Sequence, residues 1–245
     1  LSGELIISIT SFSPRFSTLP LTLECLLSQT IKPDKVILWI GHQDKEKVTD
    51  EMKSFEKRGL EIRFCEDLGP YSKIIHTLER FPDNFIVTAD DDVYYWPTWL
   101  EELIVSWSGD KKEIVAHRVH EIILNEKGLP EKYCSWKQSA KDNLNKTSVL
   151  NFATGVGGVF YPPNSLYKDV LENKSFKKLS PNADDVWLYW MTRLNGSKVK
   201  KSGPNKELLV WPGSQKKALG DDNVKKQSND EKIKNMIKAY GFPTE

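Results

Sequence analysis

The chain has 245 residues, 39% hydrophobic and 28% charged, enough to bury a sizeable core in one large domain or two small ones. A formal net charge of only +1 argues against a nucleic-acid binder, although lysines outnumber acids from Lys198 onward. No apolar run approaches the roughly 20 residues that span a bilayer. The first residues, "LSGELIISIT", show no basic, signal-type leader, so the sequence reads as cytoplasmic. Cys25, Cys65 and Cys134 are too scattered for a disulfide framework or a CxxC pair, and are expected to be buried reduced thiols.

In chain order, short β-rich runs alternate with helical patterns. "LIISI" (5–9), "KVILWI" (35–40), "LEIRFC" (60–65) and "NFIVTA" (84–89) predict strands of a parallel α/β sheet. Between them, 17–29 has leucines at helical spacing, 45–58 reads as a charged surface helix, and 72–81 supplies the next crossover. Pro97 opens a helix just beyond the fourth strand. Further on, 113–119 and 155–162 predict strands and 182–194 a helix with a polar start and an aromatic body. The stretch 125–150 resists assignment, 198–232 reads as a polar flap, and 229–241 is a last helix between Asn229 and Gly241. No internal repeat is visible.

The fourth strand ends in "ADDD", Asp90, Asp91 and Asp92. Three adjacent carboxylates repel one another unless a cation or hydrogen-bond donors offset the charge. Oxygen-only ligands suit a hard cation, Mg²⁺ or Mn²⁺, and the carboxyl end of a strand is where open α/β sheets bind ligands. A solvated turn with a helix cap is the alternative. An EF-hand is excluded because "DDDVYYWPTWLE" lacks the central glycine.

Taken together, "TSFSPR" after the first strand, "SQTIKPDKVILWI", "DLGPYSK", "ADDD" and "NADDVW" resemble nucleotide-sugar-dependent glycosyltransferases of the GT-A type, of the bacterial family-two-like kind, over residues 5–195. The resemblance implies a single GT-A-like, Rossmann-related domain with a mixed, mainly parallel sheet flanked by helices. Its nucleotide-binding part would cover about 1–110 and its acceptor-binding part about 111–245. Asp90 and Asp92 would form the DxD motif, with Asp92 the direct metal ligand, Asp90 nearer the ribose or a metal-bound water, and Asp91 toward the donor sugar. The metal, Mn²⁺ or Mg²⁺, would neutralise charge on the departing nucleoside diphosphate.

The same resemblance places donor contacts at Ser11, Arg15, Asp67 and Lys73. Ser11 and Arg15 would meet nucleotide and diphosphate, Asp67 the base and Lys73 a phosphate. Surface salt bridging and a capped turn are the bland readings of these loops. Asp185, with Asp184 beside it, matches the acid that removes the acceptor hydroxyl proton in inverting members, against a plain first-turn role at a helix dipole. Gly157 and Gly158 would let backbone approach a sugar, or merely permit a bulge. Trp187 would stack on acceptor sugars unless helical spacing turns it to the core. His117 and His120 read as structural. No histidine follows His120, so Lys216 and Lys217 are the expected substitutes over the diphosphate.

The expected reaction is transfer of a sugar from a uridine diphosphate sugar to a glycan hydroxyl, with inversion, in bacterial surface polysaccharide or glycan synthesis. The lysine excess suggests peripheral contact with the inner membrane face and lipid-linked acceptors. Rivals are a retaining transferase, a sugar nucleotidyltransferase, which should carry a glycine-rich basic loop that "TSFSPRFS" lacks, and a non-catalytic glycan-binding relative.

Overall fold

The computed structural model describes residues 1–141, 145–204, 206–214 and 228–243. The first strand, β1 (Leu5–Ser11), is apolar and β-branched on both faces and is buried along nearly its whole length, as a central parallel strand requires. It pairs in parallel with β2 (Lys35–Gly41) on one side and β4 (Phe85–Ala89) on the other, so that Ile7 faces both Val36 and Val87. β2 in turn pairs with β3 (Leu60–Cys65).

Beyond β4 the direction alternates. β9 (Val159–Tyr161) runs antiparallel to β4 and to β5 (Glu113–Ala116). β10 (Lys198–Lys201) is parallel to β5, and β7 (Thr147–Ser148) closes the edge. The sheet order is thus β3-β2-β1-β4-β9-β5-β10-β7, the mixed, mainly parallel sheet expected. A small second ladder joins β6 (Val119–Glu121) to β8 (Asn151–Ala153).

Successive strand residues point to opposite faces, which builds two cores. Leu5, Ile7 and Ile9 pack under α1 (Leu19–Leu27), α2 (Asp50–Ser54) and α4 (Trp99–Ser106). The opposite face is covered by α3 (Ser72–Arg80), α5 (Asn173–Leu179), α6 (Asp184–Leu194) and the C-terminal helix α7 (Ser228–Tyr240). On that face Ser8, inside β1, bonds Thr77 Oγ1 at 2.7 Å and the Lys73 carbonyl, while Trp39 Nε1 donates to Thr77 Oγ1 at 2.8 Å. This polar pin fixes the first turn of α3 against two strands, and with it the direction of Lys73.

Several expectations are corrected. The helix expected over 45–58 breaks into a 3-10 turn (His42–Lys47), α2 capped by Thr49 (Met52 N to Oγ1, 3.2 Å), and a second 3-10 turn ended by Gly59 at φ +99°. The strand expected over 113–119 stops at Ala116, because the chain turns out of the sheet and resumes as β6. Of 155–162 only Val159–Tyr161 is strand, preceded by a 3-10 turn over Gly155–Gly157. Lys198–Lys201 is an inner strand rather than a flap. Cys65 is buried, but Cys25 is half-buried and Cys134 exposed. Among the described residues no helix is long and apolar enough to cross a membrane.

Candidate active site

The carboxyl ends of β1 and β4, the start of α3, the Gly155–Gly157 turn and the start of α6 meet at one edge of the sheet. After β1, Pro14 in a 3-10 turn (Ser13–Arg15) directs Arg15 back toward β4, and Ser13 N donates to Asp44 Oδ2 at 2.9 Å, anchoring the turn. Arg15 Nη1 bonds Asp91 Oδ1 at 2.9 Å and also pairs with Asp92 Oδ2, while Ser11 Oγ donates to Asp91 Oδ2 at 2.6 Å. Ser11 and Arg15, expected at the nucleotide and diphosphate, are here engaged by the aspartate triplet. Burial pushes the Asp91 carboxyl up to about 6, with Arg15 and Ser11 opposing.

Asp90 is served by the other cation. Lys73 Nζ donates to Asp90 Oδ1 at 2.6 Å and lies 3.2 Å from Asp184 Oδ2, joining the two carboxylate groups. Burial alone would depress the Lys73 ammonium, but Asp184 and Asp90 hold it well above the usual lysine range.

At the start of α6, Tyr71 fixes the helix entry by donating to the carbonyls of Ser180 (2.7 Å) and Ala183 (3.1 Å). Asp185 Oδ1 accepts from Gly155 N at 2.9 Å. Burial, then the neighbouring Asp184, push the Asp185 carboxyl up to about 8. Gly155 lies among these groups: a Cβ there would sit 3.1 Å from Asp185 Oδ1, 3.3 Å from Lys73 Nζ and 3.9 Å from Asp90 Oδ1.

Other expected residues fall elsewhere. Gly157 and Gly158 face packing rather than a sugar. A Cβ on Gly157 would lie 3.0 Å from Arg118 Cβ, and one on Gly158, whose φ is +91°, would lie 2.4 Å from the Trp99 ring. Trp187 is wholly buried, its Nε1 donating to the Val170 carbonyl at 3.0 Å, so it has no face left for an acceptor. Asp67 is exposed and accepts from Gln43 Nε2 of the turn after β2 (2.6 Å) and from Gly69 N of its own turn (2.8 Å). Lys216 and Lys217 lie outside the described residues. His117 and His120 are buried and hydrogen-bonded within the fold.

Sequence reasoning missed the supports of the triplet. The buried Tyr95 hydroxyl accepts from Asp90 N at 2.8 Å. The Thr22 hydroxyl lies 3.1 Å from the carbonyls of both Asp91 and Val93. Trp211 N donates to the Asp92 carbonyl at 3.0 Å and Trp211 Nε1 to Thr22 Oγ1 at 2.8 Å, so a segment late in the chain straps the loop in place. Only the local "WPG" turn signal hinted at an ordered structure there.

A divalent cation is what the resemblance implies for this site. In kind the donors fit: Asp90, Asp91, Asp92, Asp184 and Asp185 outnumber Arg15 and Lys73, and all are hard oxygen ligands. In this structure Asp92 is engaged by Arg15 and Asp90 by Lys73. Among the described residues no group of three or more acids, histidines or cysteines is disposed to hold a metal.

Comparison with known proteins completes the assignment. The sequence model of Glycosyl transferase family 2 matches residues 8–172. The chain belongs to Glycosyl transferase family 2. Among proteins of curated function none matches it in sequence. In fold this family-two chain is similar to TarS 1-349 of S. aureus in complex with UDP-GlcNAc, at TM-score 0.53 and 10% identity over 96% of this chain and 66% of that one. It is also similar to 4-diphosphocytidyl-2C-methyl-D-erythritol synthase of Anaerococcus prevotii (0.53, 14%, 93% and 96%). A third similar structure is glucosyl-3-phosphoglycerate synthase of Mycobacterium tuberculosis with Mn²⁺, uridine diphosphate and glucosyl-3-phosphoglycerate (0.50, 10%, 99% and 81%). The chain spans only 59% of TarS 1-349 in another of its structures. These likenesses show the GT-A, Rossmann-like fold.

Proposed function

We propose that this glycosyltransferase moves a sugar from a nucleoside diphosphate donor, a uridine diphosphate sugar, to a glycan hydroxyl with inversion, and that Asp185 is the general base. The observation that carries the reading is Asp185 itself: a carboxyl oriented by Gly155 N at the carboxyl edge of the sheet, and pushed up into the range where a base works near neutral pH. Asp185 takes the acceptor hydroxyl proton as that oxygen bonds the anomeric carbon. The bond from that carbon to the diphosphate breaks, and the nucleoside diphosphate leaves with the electron pair.

Arg15 and Lys73 are the cations placed to receive that leaving charge. Ser11 orients Asp91, and Asp91 orients Arg15. Asp90 and Asp92 would hold Mn²⁺ or Mg²⁺, which would supply further charge neutralisation at the diphosphate. Both aspartates are paired with protein cations without the donor, so donor and ion are expected to bind together. Acceptors in bacterial surface polysaccharide synthesis, including lipid-linked ones reached by peripheral membrane contact, fit the lysine-rich C-terminal region.

A nucleotidyltransferase reading draws on the shared fold, but the match to the transferase family and the lack of a glycine-rich basic loop after β1 favour sugar transfer. The deciding experiment follows product formation and its anomeric configuration by NMR with uridine diphosphate sugars and a glycan panel. A product of inverted configuration is expected, and a retained one would defeat the base assignment.

A further inference from the structure

Arg118 differs from Arg15, the arginine bound to the aspartate triplet. It lies between β5 and β6, where the chain leaves the main sheet, and is only half-buried. Its Nε donates to Ser139 Oγ at 2.8 Å and its Nη1 to Thr154 Oγ1 at 3.3 Å, both neutral hydroxyls. Arg15, Arg58 and Arg63 each pair with a carboxylate, whereas among the described residues Arg118 forms no ion pair. A guanidinium steered by hydroxyls keeps its charge for a partner that the described residues do not supply. The buried His120 ring registers that uncompensated charge: burial, then Arg118, push it down to about 3.

The neighbourhood says which molecule that partner belongs to. Thr154 N donates to the Arg118 carbonyl at 3.1 Å, and the next residue, Gly155, donates its N–H to Asp185 Oδ1 at 2.9 Å. Consecutive residues, whose Cα atoms are about 3.8 Å apart, thus hold the arginine on one side and the proposed base on the other. Gly157 packs against Arg118 as well: a Cβ there would lie 3.0 Å from Arg118 Cβ and 3.1 Å from Arg118 N. Arg15 and Lys73, by contrast, are committed to the aspartates of the triplet and to Asp184. The free positive charge is therefore at the acceptor side of the site.

We propose that Arg118 is a subsite for an oxyanion group, phosphate or carboxylate, carried by the acceptor close to the hydroxyl that receives the sugar. The choice of the acceptor as its ligand rests on Asp185 as the base. An arginine fork suits either group through two parallel N–H···O bonds, and it would reject an uncharged glycan by leaving that charge unanswered. Charge selection of this kind would tell an anionic glycan from a neutral one of the same shape.

The test is equilibrium titration of the uridine-diphosphate-saturated protein with glucose 6-phosphate, methyl glucuronide and methyl glucoside. At least one anionic sugar is expected to bind tenfold or more tightly than methyl glucoside, and the order of the two anions distinguishes phosphate from carboxylate. Arg118→Met should abolish the preference while the melting shift given by uridine diphosphate stays at its wild-type value. If Arg118→Met does not fold, Arg118→Lys, which keeps the charge but loses the fork, should lower the preference severalfold. Equal affinity of wild type for all three sugars, or a preference unchanged in the variant that folds, overturns the proposal. Because the readout is binding, it stands or falls independently of transfer: a fully active Asp185→Asn enzyme would remove the base and leave the anion preference to be judged alone.

Discussion

The two carboxylate groups of the site are made of the same residue type, and burial raises Asp91 in one as it does Asp185 in the other, but they differ in the cations that face them. Asp90, Asp91 and Asp92 are held by Lys73, Arg15 and Ser11, so their charge is answered by side chains of β1, the 3-10 turn that follows it, and α3. Asp185 has the backbone N–H of Gly155 and otherwise burial, with Asp184 taking the shared Lys73 contact. A paired carboxylate is a fixed anion that positions other groups; a buried and poorly compensated one holds or accepts a proton. The difference underlies the proposal that the triplet serves donor charge and Asp185 proton transfer.

Removing the second carboxylate should have the largest effect. Asp185→Asn keeps the size and the Gly155 bond, so transfer is expected to fall by roughly 10² to 10⁴ while donor affinity stays near wild type. Asp184→Asn is the control, and a larger loss there, measured as initial rate per folded molecule, would move the base by one residue. Gly155→Ala comes next. Its Cβ would crowd Asp185 Oδ1 and Lys73 Nζ together, and a displacement of about 1 Å can cost on the order of 10² in rate. Circular dichroism should show the fold intact.

The triplet is probed by donor binding. Asp92→Asn and Arg15→Gln should each weaken uridine diphosphate binding about tenfold or more in calorimetry, as expected on losing a charged hydrogen-bond partner. For Asp92→Asn the loss should be confined to titrations containing Mn²⁺, whereas for Arg15→Gln it should persist in chelator. An Asp92 variant with wild-type affinity under both conditions would sink its metal role and leave it only as a mate for Arg15.

Much of this was legible in the sequence because the first half is local. Runs such as "LIISITS" announce buried parallel strands, and a carboxylate triplet at a strand end announces a ligand edge. The second half is less legible because its elements are short and specified by distant partners. β9 is three residues long, and the 113–119 run is divided by a turn that depends on Gly158 and Trp99. Trp187 illustrates the limit. On α6 an aromatic could face solvent or core, and only the tertiary packing with Phe176 and Val170 decides. The strap from Trp211 to Asp92 spans too much sequence for any local pattern to reveal.

The smallest effect expected is on stability, and its pH dependence tests the environment of Asp185. A carboxyl whose folded value is raised binds its proton more tightly in the folded state. It therefore contributes stability that is fully present below the unfolded value near 4 and is lost as pH rises through the folded value. For Asp185, raised to about 8 by burial and Asp184, that window runs from about pH 4 to pH 8. Asparagine does not titrate, so the melting temperature of Asp185→Asn minus that of wild type should climb across this interval and level off above it. Groups remote from Asp185 cancel in the difference, and the neighbouring Asp184 is controlled by the same measurement on Asp184→Asn. At pH 8.5 the variant is expected to melt at least about 3 °C higher, roughly 1 kcal/mol for a chain of this size. A melting difference that stays flat from about pH 4 to pH 8 would show that Asp185 is not a proton-holding acid of α6.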